Sequence, residues 1–287
     1  MPHDEPSQRP PAAKAPVIRW AGTTNTGRFR KNNEDAFLAL AFDAREVRYL
    51  GKTGTISLDG NDTVFAVSDG MGGAKAGEFA SRIAVDQITR LLPRGFRLGA
   101  MGVESDRAEL LADLFHNIHA AVQEYGRCYE ECEGMGATLT LCWFSPGWLA
   151  FSHLGDSRLY FLPRDGDLRQ LSHDHTHVGW LRRSGRINER EERTHPARNS
   201  LQMALGAGHQ IIDPQVGTVG LEPGDRFLLC SDGLNDGMWD RRIGEMLREG
   251  EIEDGTPGGL AAAMVKESVA ESGRDNTTAL VIEAGES

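Results

Sequence analysis

Thr63-Val64-Phe65-Ala66-Val67-Ser68-Asp69-Gly70 and Arg226-Phe227-Leu228-Leu229-Cys230-Ser231-Asp232-Gly233 are two apolar runs that end in the same three residues. Each reads as a buried strand stopped by an Asp-Gly turn. A strand end fixes its carboxylate, and the glycine lets backbone or ligand approach closely. If the two strands share one core, the two aspartates meet. Carboxylates that converge without a cationic neighbour repel, so either one is protonated or a hard cation lies between them. No Lys or Arg adjoins Asp69 or Asp232 in sequence, which favours the cation. Any single Asp-Gly reads equally well as an ordinary turn; the case rests on the set.

Other acidic residues also sit at the edges of apolar runs. Asn33-Glu34-Asp35 precedes Ala36 to Phe42, and Gly155-Asp156-Ser157 follows Trp148 to Leu154. Asp236 comes four residues after Asp232, and Gly273-Arg274-Asp275-Asn276 precedes the strand-like Thr277 to Ile282. Oxygen-rich ligand sets without cysteine suit Mg²⁺ or Mn²⁺ rather than Zn²⁺. Two such ions close together make a hydrolytic centre for phosphate esters.

Period-two and apolar patterning predicts strands at Ile18–Thr23, Ala36–Phe42, Glu46–Gly51, Thr63–Ser68, Ala137–Phe144, Trp148–Leu154, Arg158–Leu162, Gln215–Val219, Arg226–Ser231 and Thr277–Glu283. Trp143 to Trp148 reads as a hairpin turn, and short turns imply antiparallel pairing. Helices are expected at Ala76–Leu92, at Ser105–Tyr125 with Ser105 as N-cap, at Gly259–Ser272 ending at Gly273, and over the shorter Arg241–Glu249. Strand runs with helices grouped between them indicate an α+β fold. Residues 172–208 form a polar stretch rich in Arg and His, with a short helix-like piece at Val178–Arg183. Irregular loops of that length are functional or disordered.

Six segments together resemble the metal-dependent Ser/Thr protein phosphatases of the 2C type, in their bacterial form. They are Thr26 to Asp35 (TGRFRKNNED), Asp69-Gly70-Met71-Gly72-Gly73, Met135-Gly136-Ala137-Thr138, Leu154 to Arg158 (LGDSR), Ser231 to Asp236 (SDGLND) and Gly273 to Thr278 (GRDNTT). They occur in the family's order and span about residues 20–283. The resemblance implies a four-layer α-β-β-α sandwich, with the site at one end of two antiparallel sheets and 172–208 as a flap beside it. It implies that Asp69 bridges two ions, with Asp232 and Asp275 completing one site and Glu34 and the Gly70 carbonyl serving the other. Asp35 would hold metal-bound waters. Asp156 and Asp236, with Asp232, match a third, weaker ion site. Arg30 matches a phosphate-binding arginine, whose planar guanidinium takes two oxygens at once. Arg28 and Lys31 read as ordinary surface charges, and Asn276 as a partner for a ligating carboxylate or metal water.

One position departs from the eukaryotic branch, where a histidine that is a candidate general acid follows the first Asp-Gly. Here it is Met71, whose thioether donates no proton; metal-bound water or another residue, such as His175, would have to serve. His173-Asp174-His175-Thr176-His177 could alternatively place three imidazoles on one extended face as a second metal site, though local variation of the flap is the better reading. His116 and His119 read as surface or packed side chains of the second helix. The glycines of Met71 to Gly77 open a helix but lack a Gly-Lys-Ser/Thr ending, so they read as turn glycines rather than a nucleotide cradle.

The 287 residues carry a formal net charge of −11, which argues against a basic nucleic-acid face. No apolar run reaches membrane-spanning length, so no membrane association is expected. Four cysteines are too few for a disulfide scaffold. These features lead us to expect one catalytic domain over 17–287, after a disordered leader at 1–16, in a cytoplasmic protein. The resemblance implies that its partners are phosphorylated proteins, substrates of a Ser/Thr kinase, and that its activity is phosphoserine and phosphothreonine hydrolysis by water bridging two Mn²⁺ or Mg²⁺ ions. Alternatives are a phosphoprotein-binding pseudophosphatase, a regulatory phosphatase of sigma-factor partner switching, and a small-molecule phosphomonoesterase.

Overall fold

The computed structural model describes residues 16–43, 45–72, 76–100, 107–208, 211–250 and 259–286. The expected leader at 1–16 falls outside these residues except for Pro16, as does Ser105, the expected N-cap. The chain opens with β1 (Val17–Asn25), β2 (Asp35–Phe42), β3 (Val47–Tyr49), β4 (Thr53–Ser57) and β5 (Asp62–Met71). Two long helices follow, α1 (Ala76–Ala100) and α2 (Arg107–Cys128). Next come β6 (Gly136–Ala137), β7 (Leu139–Ser145), β8 (Trp148–Leu154), β9 (Arg158–Leu162) and β10 (Arg169–Gln170). The flap contains α3 (His177–Arg183), α4 (Glu189–Thr194) and β11 (Leu205–Gly206). The chain continues through β12 (Gln215–Gly220), β13 (Arg226–Cys230), α5 (Asp232–Gly237), α6 (Asp240–Glu249), α7 (Leu260–Glu271) and β14 (Thr277–Gly285).

Two antiparallel sheets result. One runs β10-β9-β13-β14-β1-β4; the other runs β11-β6-β5-β7-β8-β12, with β2 joining β5 to β3. Three stacked apolar clusters make the layering. Val64 and Ala66 of β5 face α1 and α2, whereas Phe65 and Val67 face the other sheet. In β14, Leu280 and Ile282 point between the sheets, and Ala279 and Val281 pack under α5 to α7. Both faces of each central strand are buried, so the period-two alternation is apolar on both sides and reads in sequence as an unbroken run. This is the expected α-β-β-α sandwich.

Glu46–Gly51 departs from expectation. The strand there is only Val47–Tyr49, and a second one, Thr53–Ser57, pairs with β1 in the opposite sheet. Its Thr-Gly-Thr-Ile-Ser sequence is half exposed and carries little apolar signal. The α4 and α5 helices were also not anticipated. Each is a six-residue helix, too short for a periodic stripe.

Register brings the acidic positions to one end. Asp35 stands opposite Asp69, Cys230 pairs with both Arg158 and Ala279, and Asn25 pairs with Thr277. Every motif loop therefore emerges at the same edge of the sandwich. Phe65, fully buried between the sheets and edge-on to Phe144 at 5.7 Å, anchors the middle layer. Phe65→Ala should lower unfolding free energy by about 3–5 kcal/mol, read from the urea midpoint.

Candidate active site and metal centre

The β5 end is built around Asp69. Its N–H donates to Thr138 Oγ1 at 3.0 Å, and the Thr138 N–H donates back to the Asp69 carbonyl at 2.8 Å. Thr138 Oγ1 is itself 2.6 Å from Ser157 Oγ. These bonds fix the backbone, so the Asp69 carboxylate projects from a rigid strand end. Beside it, Asp35 is buried, and its Oδ2 accepts from Ser231 Oγ at 2.7 Å and Thr278 Oγ1 at 2.6 Å. Asp35 Oδ1 and Asp232 Oδ1 are buried without a hydrogen-bond partner.

Such orphaned acceptors are costly unless something positive lies beside them. Desolvation, and then the charges of Asp35, Asp232, Asp156 and Asp275, push the Asp69 carboxyl well above the ordinary aspartate range. Desolvation and then Asp156, Asp275 and Asp236 do the same to Asp232. Asp35 rises to about 6, chiefly by burial. Asp156 rises to about 7 by burial and the nearby Asp174. Glu34 is raised as well, by burial above all. A set of hard anionic oxygens with unpartnered lone pairs fits Mg²⁺ or Mn²⁺ chemically. Among the described residues, though, no three His, Cys, Asp or Glu side chains have the spacing of a preformed metal shell.

Glycine is required at two contacts here. A Cβ on Gly70 would stand 2.0 Å from the Gly77 carbonyl, and one on Gly77 would stand 2.4 Å from Glu34 Oε2. The start of α1 thus lies directly against the β5 turn, and Glu34 lies against both.

The loop carrying Glu34 is pinned from two sides. Asn276 donates from Nδ2 to the carbonyls of Thr26 and Asn32, both at 2.9 Å, and accepts the Glu34 N–H at 2.7 Å. Its side chain bonds backbone, while its own N–H donates to Asp275 Oδ1 at 2.8 Å, the carboxylate partner expected. Arg28 is likewise no ordinary surface charge: its guanidinium donates to the Val269 carbonyl at 2.7 Å and also to that of Ala270, at the end of α7. Between these fixed points Arg30 pairs with Asp275 at 2.5 Å, half exposed at the rim of a cleft of about 400 Å³. Glu34, Asp69, Gly70, Asp156, Asp232 and Asp275 line that cleft, with Phe29, Met71 and Leu201 supplying apolar surface. Asp236 faces a small adjoining cavity under the flap, and its Oδ1 lies 3.5 Å from Arg198.

The histidine expectations divide. His175 accepts the Gly155 N–H at Nδ1, 3.0 Å away, and stacks on His153 with ring centroids 5.1 Å apart. Burial and then Arg183 lower it to about 4, which favours the neutral imidazole, and it does not line the cleft. His173 and His177 are exposed, and His177 stacks on Trp180 at 5.8 Å; the three imidazoles do not converge. Asp174 is taken up by a buried ion cluster with Arg158. His119 accepts from the Gly206 N–H at 3.1 Å as a packed core side chain. Roles for Thr138, Ser231 and Thr278 were not read from sequence, although all three lie inside the quoted motifs; a hydroxyl next to a carboxylate motif was the available signal.

The raised carboxyls dictate a sign. Without a cation, ionising Asp156 and Asp35 destabilises the fold at neutral pH. That penalty is relieved as pH falls through about 7 and about 6, and is gone below the ordinary aspartate value near ~4. In chelator the urea midpoint should therefore rise between pH 7.5 and pH 5.5, and saturating Mn²⁺ should flatten or reverse the trend.

Known proteins share this arrangement. Residues 52–255 match the family model for protein phosphatase 2C. The serine/threonine protein phosphatase PstP of Mycobacterium tuberculosis is 33% identical over 92% of the chain, which spans only 45% of that protein. The Listeria monocytogenes serine/threonine phosphatase stp is 29% identical over 91% of the chain and 93% of its own length. A crystal structure of the PstP catalytic domain in complex with two manganese ions superposes with a TM-score of 0.71 at 30% identity, covering 94% of this chain and all of that one. With its six motifs gathered at one end of an α-β-β-α sandwich, the chain belongs to the protein phosphatase 2C family, in its bacterial branch.

Proposed function

We propose that this protein hydrolyses phosphoserine and phosphothreonine in phosphorylated proteins, using Mn²⁺ or Mg²⁺ held by the carboxylate cluster. The observation that carries the reading is the convergence of Glu34, Asp69, Asp232 and Asp275 on one cleft, with Asp232 Oδ1 and the Oδ1 of adjacent Asp35 buried and unpartnered. Bound cations would supply a water acidic enough to attack phosphorus at neutral pH and would neutralise phosphoryl charge.

The chain's own residues account for the rest. Asp69 lies between the other carboxylates and is the natural shared ligand. Asp232 and Asp275 would hold one position; Glu34 and the Gly70 carbonyl would hold the other. Asp35, fixed through Oδ2, keeps Oδ1 free to orient water. Asp156 and Asp236, with Asp232, offer a third and weaker position, where Arg198 now shares Asp236. Arg30 leans on Asp275 across the cleft mouth and would take the substrate phosphate, a dianion that can compete for the guanidinium. Among the described residues no imidazole lines the cleft, so the leaving serine or threonine oxygen takes its proton from water. A cytoplasmic location belongs to the same proposal, as does a Ser/Thr kinase that supplies the substrates. No described helix is long and apolar enough to cross a membrane.

Phosphate release from a phosphothreonine peptide tests the reading. Chelation should abolish it and Mn²⁺ should restore it; full turnover by metal-free protein would reject the mechanism. Asp69→Asn should stay folded by circular dichroism yet lose orders of magnitude in kcat, because a neutral amide binds hard cations poorly. Arg30→Ala should raise KM about tenfold or more through loss of a charge-assisted bond to phosphate. Wild-type KM and kcat would remove Arg30 from the substrate site.

A further inference from the structure

Tyr160 lies on β9 with 1% of its surface exposed and with its hydroxyl saturated. The O–H donates to Asp240 Oδ1 at 2.8 Å. The oxygen accepts from Arg158 Nη1 at 3.1 Å and from Asn235 Nδ2 at 2.7 Å. On one side of this oxygen is a buried ion cluster. Arg158 binds Asp174 at 2.6 Å and Glu192 at 3.0 Å, and Arg182 bridges Glu192 and Asp240. Asp174, Arg182 and Glu192 all belong to the flap, so the cluster ties flap, β9 and α6 together.

On the other side is α5. Asn235 sits three residues after Asp232 and one before Asp236 on a helix of only six residues. So short a helix does not hold its own conformation or orientation. Its N-cap Ser231 makes no capping bond; that hydroxyl is bound to Asp35 instead. The Asn235 amide is buried, and its other end accepts from Cys230 Sγ at 3.4 Å. Ser268 Oγ of α7 holds the first turn of α5 through the Gly233 and Leu234 carbonyls, both at 3.0 Å, and the Tyr160 bond is the side-chain anchor of the following turn, between Asp232 and Asp236.

We infer that Tyr160 is a positioning residue of the metal centre. Through Asn235 its hydroxyl sets the orientation of α5, and so the placement of Asp232 and Asp236, against the ion cluster that anchors the flap. This rests on the cation reading given above. Removing the hydroxyl leaves the ring packed in the helix-side core and α5 still held at Gly233 and Leu234, but frees the Asn235 side chain, so the loss is read in cation affinity.

The test is calorimetric titration of Mn²⁺ into chelator-stripped protein. The variants are Tyr160→Phe, Asn235→Ala, the double variant, and Trp143→Phe. The last deletes a buried indole bond to Asp62 Oδ2, 2.7 Å long, at the far end of β5 from Asp69. Tyr160→Phe and Asn235→Ala should each weaken Mn²⁺ binding about tenfold. The double variant should bind no more weakly than the weaker single, because the Tyr160–Asn235 bond through which both act is already lost in either one. Trp143→Phe should lower Tm yet bind as wild type. Additive losses, wild-type affinity in Tyr160→Phe, or an equal loss in Trp143→Phe would overturn the inference. If Tyr160→Phe does not fold, wild-type affinity in Asn235→Ala overturns it alone. No Mn²⁺ uptake by the wild type would defeat the cation reading itself, and this inference with it.

Discussion

Like charge held at close quarters is the constraint on which this structure turns. Glu34, Asp35, Asp69, Asp156 and Asp232 lie at or beside one cleft, and burial together with repulsion from neighbouring carboxylates drives their carboxyls toward the neutral form. A fold tolerates this only if the positions are imposed by stronger interactions elsewhere, and those are the three apolar layers. The strands that end at Asp69 and Asp232 are buried on both faces and cannot slip without turning their side chains inside out. The hydrophobic core thus does the electrostatic work of holding the anions together, and the proposed cation would make the arrangement favourable.

Around the anions lies a layer of neutral donors and pinned backbone. Thr138, Ser231, Thr278 and Asn276 each bond a carboxylate or the chain beside one. A hydroxyl or amide can orient a carboxylate without neutralising it, whereas an arginine in the same place would compete with the cation. The arginines are kept to the margins: Arg28 on the carbonyls ending α7, Arg30 at the rim, Arg198 under the flap, and Arg158 and Arg182 within the ion cluster. Glycine serves where backbone must approach backbone, as at Gly70 against Gly77.

The flap shows how one composition supports different readings. Its polar, Arg- and His-rich sequence reads as a long stretch with one helix-like piece at Val178–Arg183, which α3 matches. The remainder folds around charge pairs. Asn188 and Glu191 form a capping box that starts α4, and Thr176 caps α3. Asp174 and Glu192 turn inward to arginines. Their partners are Arg158 of β9 and Arg182 of α3, whose charges offset the desolvation cost of burial, and no local pattern announces them. The surroundings of His175 leave no local signal either, because its stacking partner, His153, lies on β8.

What the sequence determined by itself was the set of strands and the chemistry at their ends. Continuous apolar runs closed by Asp-Gly are local signals, because burial on both faces and a tight turn are each written into a few consecutive residues. The α+β class, the long helices and the carboxylate inventory follow from them, and the motif order identified the family. Tertiary structure alone decided which groups meet. Asp35 faces Asp69 through antiparallel register, Arg28 reaches across to α7, and Tyr160 joins the flap to α5. Each of these pairings links residues from about thirty to more than two hundred positions apart. The energy of such contacts depends on burial and geometry that only the packed sandwich creates.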